Sequence, residues 1–388
     1  MSDVNLKVAM IGPRGCGKTS VLSIMLGEIE NFINGLNANE NVRRYCNPSV
    51  SADAFSVNLL SLTYEKLQSV AKRNVVRDGV NVVLGTDIAK PRIYNIDLIV
   101  SGITTTISFY DYSGAFFLPE YHNRIKREVL EDFKNVFATA DVILLCVDVP
   151  SQITYSDTND NRYRDSYKNY ITSLIRESSN NHSHNGIAKT IIVAPVKCEA
   201  TILDTVRDEI TGYMQKINPE KNNTLYNNVK SLYNDLFTHL ENSQTVQSFY
   251  LPIITMGCVK ATGIEYDPCE MSSHVNFEPI IRGQNLHYYQ CNSSSLLALS
   301  LWSAGALITR AYANQAGVLA RIRHFFNDKW PTEWFKDELF EKCSLYQILW
   351  DYISNSSDYR NLSEEEKKKF NDLKSAAESQ PFTGCRLI

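Results

Sequence analysis

Residues 12–19 read Gly-Pro-Arg-Gly-Cys-Gly-Lys-Thr, a complete G-x-x-x-x-G-K-[ST] pattern. Leu6 to Ile11 before it is an apolar run that reads as a buried strand, and Thr19 to Glu30 after it reads as a helix. A glycine-rich loop between a strand and a helix is the context in which this pattern holds phosphate. Gly12 and Gly17 are expected to take backbone angles that other residues resist. The loop N–H groups and the helix N-terminus then face an anion together. Lys18 is placed to reach the β/γ-phosphates and the Thr19 hydroxyl to hold Mg²⁺. The candidate phosphate site therefore comprises Gly12, Gly15, Cys16, Gly17, Lys18, Thr19 and Ser20.

A chain of 388 residues, 44% hydrophobic, can bury a large core and has room for two or three domains. A net charge of −4 provides no global field for nucleic acid or an anionic membrane. Nine cysteines, an odd number without a CxxC pair, fit a reduced cytoplasmic chain better than a disulfide scaffold or zinc site. The polar start carries no signal-peptide pattern, and Leu296 to Ile308 is too short to span a bilayer. Cys385-Arg-Leu-Ile388 superficially matches a prenylation box, but Arg386 occupies an aliphatic slot.

Asn31 to Asp78 is polar with helical spacing and predicts a helical insertion at about 31–80. Residues 92–100 and 103–110 predict a hairpin turning at Ser101-Gly102, followed by a helix from Pro119 to Thr139. Asp141 to Val149 and Thr190 to Val196 are almost wholly apolar, the mark of central parallel strands. Helices are predicted over 161–177, 203–217 and 224–240, a last strand over 249–255, and a loop over 257–293. Leu296 to Gln315 predicts a helix, and the aromatic, amphipathic pattern from Ile322 onward predicts a small helical extension. The expected organisation is one α/β domain over 1–318, three layers around a mainly parallel sheet, and a helical extension over 319–388.

A second motif, Asp111-Tyr-Ser-Gly114, follows the predicted hairpin strand. An acidic residue there can hold Mg²⁺ through water, and the Gly amide can sense a γ-phosphate. A third, Val196-Lys-Cys-Glu199, follows a buried strand, and Thr255-Met-Gly257 follows the last one. With Gly102 nine residues before Asp111, the chain resembles the Ras-like P-loop GTPase superfamily. The resemblance implies a P-loop NTPase fold with one antiparallel strand. It also implies Mg²⁺ and GTP/GDP as cofactors, with Thr19, Asp111 and Thr86 at the metal. By the same resemblance Lys197 lies across the base, Glu199 accepts from the guanine N1 and N2 groups, and Gly257 faces O6. Val196 and Glu199 depart from the family's Asn/Thr-Lys-x-Asp. The insertion and the altered base motif are similar to GTPase-like proteins of bacterial conflict and defence systems.

Lys18, Asp111, Gly114 and Arg14 are the candidate catalytic residues. Ala115 stands where the family often has a water-orienting Gln, so slow intrinsic hydrolysis is expected, with Glu120 or His122 as stand-ins. The expected function is a nucleotide-controlled switch that signals to a protein partner through the insertion or the extension. An ATP-specific P-loop NTPase and a nucleotide-holding scaffold without useful turnover are the alternatives.

Overall fold

The computed structural model describes residues 4–37, 49–52, 91–100, 103–154, 161–181, 189–208, 212–243, 245–255, 259–267, 272–279, 363–364 and 386–388. In chain order the elements begin with β1 (Val4–Ile11), α1 (Lys18–Asn37), β2 (Ser49–Ala52), β3 (Arg92–Val100) and β4 (Ile103–Asp111). Two 3₁₀ turns follow, Gly114–Phe117 and Pro119–Arg124, then α2 (Arg127–Thr139), β5 (Val142–Asp148) and a π-helical turn at Pro150–Thr154. Next come α3 (Asn161–Ser179), β6 (Lys189–Val196), α4 (Glu199–Ile202), β7 (Leu203–Asp208), β8 (Gly212–Ile217), α5 (Pro219–Leu232) and α6 (Asn234–Asn242). The last elements are β9 (Val246–Tyr250), β10 (Val259–Asp267), β11 (Ser272–Pro279) and β12 (Arg386–Leu387).

The fold is α/β. Among the described residues eight strands form one sheet in the order β12-β9-β6-β5-β1-β4-β3-β2. Its body, β9-β6-β5-β1-β4, is parallel. β3 runs against β4 as expected, but β12 also runs against β9, so two strands oppose the body where one was expected. β5 and β6 are buried at every position, which explains why they read as continuous apolar runs. Alternate residues split between the two faces. Ala9, Ile11, Ile143, Leu145, Ile191 and Val193 join one cluster with Phe133 and Phe137 of α2, Ile171 and Ile175 of α3, and Leu236 and Phe237 of α6. Leu6, Val8, Met10, Leu144, Cys146 and Ile192, on the opposite parity, are equally buried.

Several local expectations are corrected. The helix expected from Pro119 begins only at Arg127, because Ile125 turns extended (φ −98°, ψ 134°) and seats its side chain in the core. Within the helix expected over 203–217, Leu203–Asp208 and Gly212–Ile217 pair instead as antiparallel strands β7 and β8, with Leu203 opposite Ile217 and both buried. The helix expected over 224–240 is two, α5 and α6, broken at buried Tyr233. Asn218 caps α5: its side chain accepts from the Glu220 and Lys221 N–H groups, and Pro219 takes the first helical position. The loop expected over 257–293 holds the β10–β11 hairpin. Within the expected helical insertion, α1 runs on to Asn37 and Ser49–Ala52 is a strand on β3, while 38–48 and 53–90 lie outside the described residues. The helix expected over 296–315 and most of 319–388 also lie outside them. Among the described residues no helix is long and apolar enough to cross a membrane.

Candidate functional site

The chain passes from β1 to β4 on one side of β1, then crosses to β5 on the other side. In an open α/β sheet the crevice at the carboxyl ends of the strands at such a reversal is where ligands bind. The glycine-rich loop leaves β1 here, and Asp111 and Asp148 end the strands on either side. Lys197 and Glu199 follow β6, and Thr255 follows β9.

Backbone conformation in the loop differs in detail from expectation. The left-handed residues are Gly15 (φ 76°) and Gly17 (φ 102°), not Gly12. Gly12 is required for space: a Cβ there would lie 2.6 Å from Cys16 Sγ and 3.1 Å from Cys146 Cβ. Cys16 and Cys146 form a buried thiol pair beneath the loop. The hydrogen bond to Cys16, then burial, pushes Cys146 up. Helix α1 opens with Val21 N–H donating to Gly17 O at 2.9 Å. The amides ahead of it are the donors that a helix start leaves without intrahelical partners.

Lys18 Nζ folds over the loop and donates to Gly12 O at 3.0 Å and Pro13 O at 3.4 Å. It lies 3.9 Å from Asp111 Oδ1. Burial opposes its charge, but Cys16, Asp111 and Asp148 nearby raise its pKa. The Thr19 hydroxyl donates to Asp111 Oδ2 at 2.8 Å, so both expected metal-side residues of the described chain meet. Tyr94 of β3 is buried beside them, and burial with Asp111 close by pushes its phenol up.

Gly114 presses on the loop. A Cβ there would fall 2.1 Å from Arg14 N and 2.7 Å from Arg14 Cα. The residues after it, Ala115 to Leu118, are buried, and Phe116 packs tilted and Phe117 edge-on against Phe133. His122 Nε2 meets Phe116 O at 2.9 Å and its ring abuts Tyr170, so it is engaged with the protein frame. Arg14 is exposed at the crest of the loop.

On the other side Lys197, left-handed at φ 55°, donates to Gly15 O at 2.7 Å and lies 3.4 Å from Asp148 Oδ1. Glu199 is buried, and its Oε1 accepts from Thr255 N–H at 3.2 Å and Thr255 Oγ1 at 3.3 Å. Val196 is buried and bridges Ile253, so its side chain belongs to the sheet core.

The structure thus brings together the whole loop, Asp111, Gly114, Lys197 and Glu199. Thr86, Gly102 and Gly257 lie outside the described residues. Sequence reasoning missed Asp148, Cys146 and Tyr94, and named Thr255 within a motif without its role toward Glu199. For Asp148 a signal existed: an acidic residue closing an otherwise apolar strand beside the loop. Among the described residues no group of three His, Cys, Asp or Glu side chains is arranged to hold a metal. The Thr19 hydroxyl with the Asp111 carboxylate is a hard-oxygen pair of the kind that suits Mg²⁺, which keeps waters and takes substrate phosphates as its other ligands. No protein-family model matches the chain, and a search of curated proteins finds no relative.

Proposed function

We propose that this chain is a Mg²⁺-dependent GTP-binding protein with a three-layer P-loop NTPase fold of Ras-like type, a slow GTPase that works as a nucleotide-controlled switch. One observation carries the reading: the Thr19–Asp111 hydrogen bond joins the two motifs at the sheet's reversal point, with the buried Lys18 ammonium beside them. The strand order, with an antiparallel neighbour beside β4, supports it. Bound Mg²⁺ would neutralise phosphate charge and polarise the bond that breaks.

The chain's own residues divide the remaining tasks. Loop amides and the start of α1 bind phosphate. Lys18 leaves the Gly12 and Pro13 carbonyls to face the β/γ-phosphates. Thr19 and Asp111 orient the cation side, and Glu199, held by Thr255, faces the base. Gly114, in backbone contact with the loop, is placed to register a γ-phosphate. The helical insertion or the C-terminal extension would report that state to a protein partner.

A second reading, a scaffold that holds nucleotide without useful turnover, is favoured by the burial of Ala115 to Leu118 and by the engagement of His122. Single-turnover hydrolysis separates the two. The switch reading expects GTP cleavage at roughly 10⁻⁴ to 10⁻² s⁻¹, the range of GTPases without an activating partner. It further expects a change in Arg14→Ala and none in His122→Ala. No cleavage by tightly bound GTP supports the scaffold, and binding of ATP as tightly as GTP overturns the guanine assignment.

A further inference from the structure

We infer that Asp148 is a positioning residue: it fixes Lys197 against the Gly15 carbonyl and so sets the base-side and phosphate-side loops relative to each other before nucleotide arrives. The inference rests on the GTP-binding reading for its consequence, but the clamp itself is a matter of contacts on the protein.

Asp148 ends β5 with its side chain 1% exposed. A carboxylate taken out of water persists only with a partner. Its partner is Lys197, whose Nζ lies 3.4 Å from Oδ1 and 3.5 Å from Oδ2. The same ammonium donates to Gly15 O at 2.7 Å, on a segment 182 residues away in sequence. Lysine is a long, flexible, strongly hydrated cation that leaves such a contact readily unless it is anchored. Lys197 also carries a left-handed backbone, φ 55°, a conformation held only where the surroundings over-determine it.

Asp148 is itself rigidly seated. Its N–H donates to Gln152 Oε1 at 2.9 Å, its carbonyl accepts from Ser151 Oγ at 3.4 Å, and Gln152 Nε2 donates to Tyr233 OH at 3.0 Å. Gln152 is buried, and Tyr233 sits at the break between α5 and α6. The turn after β5 is thereby braced from behind, and the carboxylate is aimed at Lys197.

The test uses the nucleotide-free full chain and the isosteric Asp148→Asn, with Lys197→Met and the double variant. Cys16, 1% exposed under the loop, reports loop opening by its alkylation rate, and amide hydrogen exchange over Ile191 to Val193 of β6, buried throughout, reports general loosening. Asp148→Asn and Lys197→Met should each speed Cys16 alkylation about tenfold, the scale of one lost charge-assisted hydrogen bond, with amide exchange over Ile191 to Val193 unchanged. The double variant should match Lys197→Met alone. GDP and GTP affinities should fall by the same factor in all three. If Asp148→Asn fails to fold, Lys197→Met alone must still open the loop. Additive effects in the double variant, unchanged Cys16 reactivity, or equally faster amide exchange over Ile191 to Val193 would overturn the clamp. If the thiol pattern holds while the wild type binds no guanine nucleotide, the clamp stands and the GTP reading falls.

Discussion

The Thr19 hydroxyl donates to Asp111 across 2.8 Å, joining the first turn of α1 to the end of β4 from positions 92 residues apart. That contact pre-places both groups on one side of the crevice. Removing either should uncouple nucleotide binding from Mg²⁺. Thr19→Ala and Asp111→Asn are expected to lose about 10- to 100-fold in GTP affinity with Mg²⁺ present, the scale of a hydrogen bond to a charged group, and to match the wild type in EDTA. Titrations in the two buffers check this; an equal loss in both would assign the pair a purely structural role.

Gly114 has no room for a side chain. With its Cβ position 2.1 Å from Arg14 N, Gly114→Ala must push the loop backbone or the turn that buries Phe116. Overpacking of this kind costs about 1–3 kcal/mol. Denaturant unfolding should show that loss, and triphosphate affinity should fall more than diphosphate affinity. Unchanged stability and binding would mean the contact yields at no cost.

The parts of the molecule readable from sequence are those whose constraint is local. Residues 12–19 are one contiguous segment shaped for one ligand, and β5 and β6 are apolar throughout because both faces are covered. Asp148 stands out in sequence as an acidic end to an apolar strand, but its role does not, because that depends on Lys197, 49 residues on and across a neighbouring strand. Thr255 likewise acquires a role only by meeting Glu199, 56 residues away. The β7–β8 hairpin was misread because short mixed segments such as Leu203–Asp208 carry no decisive period. At Ile125 tertiary burial overrode the helix signal of Pro119.

Glu199 is the proposed reader of the base. Its orientation by Thr255 predicts that GTP is preferred over ATP by about 100-fold or more, since a site with buried polar groups rejects a ligand that leaves them unpaired. Glu199→Ala should lower GTP affinity and flatten that preference, and Thr255→Val should do so more weakly. Competition between labelled GDP and unlabelled ATP measures both. A preference that survives in Glu199→Ala places base recognition elsewhere.

Lys189 gives a pH signature unrelated to nucleotide. Its buried ammonium donates to Ala138 O and to Ser178 O and Oγ, and burial lowers its pKa to about 8 despite Asp141 nearby. The folded state releases this proton first, so between pH 8 and about 10 the unfolded state binds more protons and stability rises with pH. Relative to Lys189→Met, the wild type should gain up to ~3 kcal/mol over that window. Above pH 10 the trend should reverse, because burial raises Tyr170 to about 12 and the fold holds that proton longer. Denaturant unfolding at stepped pH checks the slope; a flat difference from Lys189→Met would exclude the effect.

The central claim is that residues 12–19 with Asp111 hold a guanine nucleotide with Mg²⁺, and titration calorimetry of GTP into wild type and Lys18→Ala tests it most directly. The account predicts saturable binding by the wild type that strengthens with Mg²⁺. It also predicts a loss of about 10- to 100-fold in Lys18→Ala, measured at a temperature where that variant remains folded. Equal GTP affinity in the two proteins, or none in the wild type with and without Mg²⁺, would contradict it.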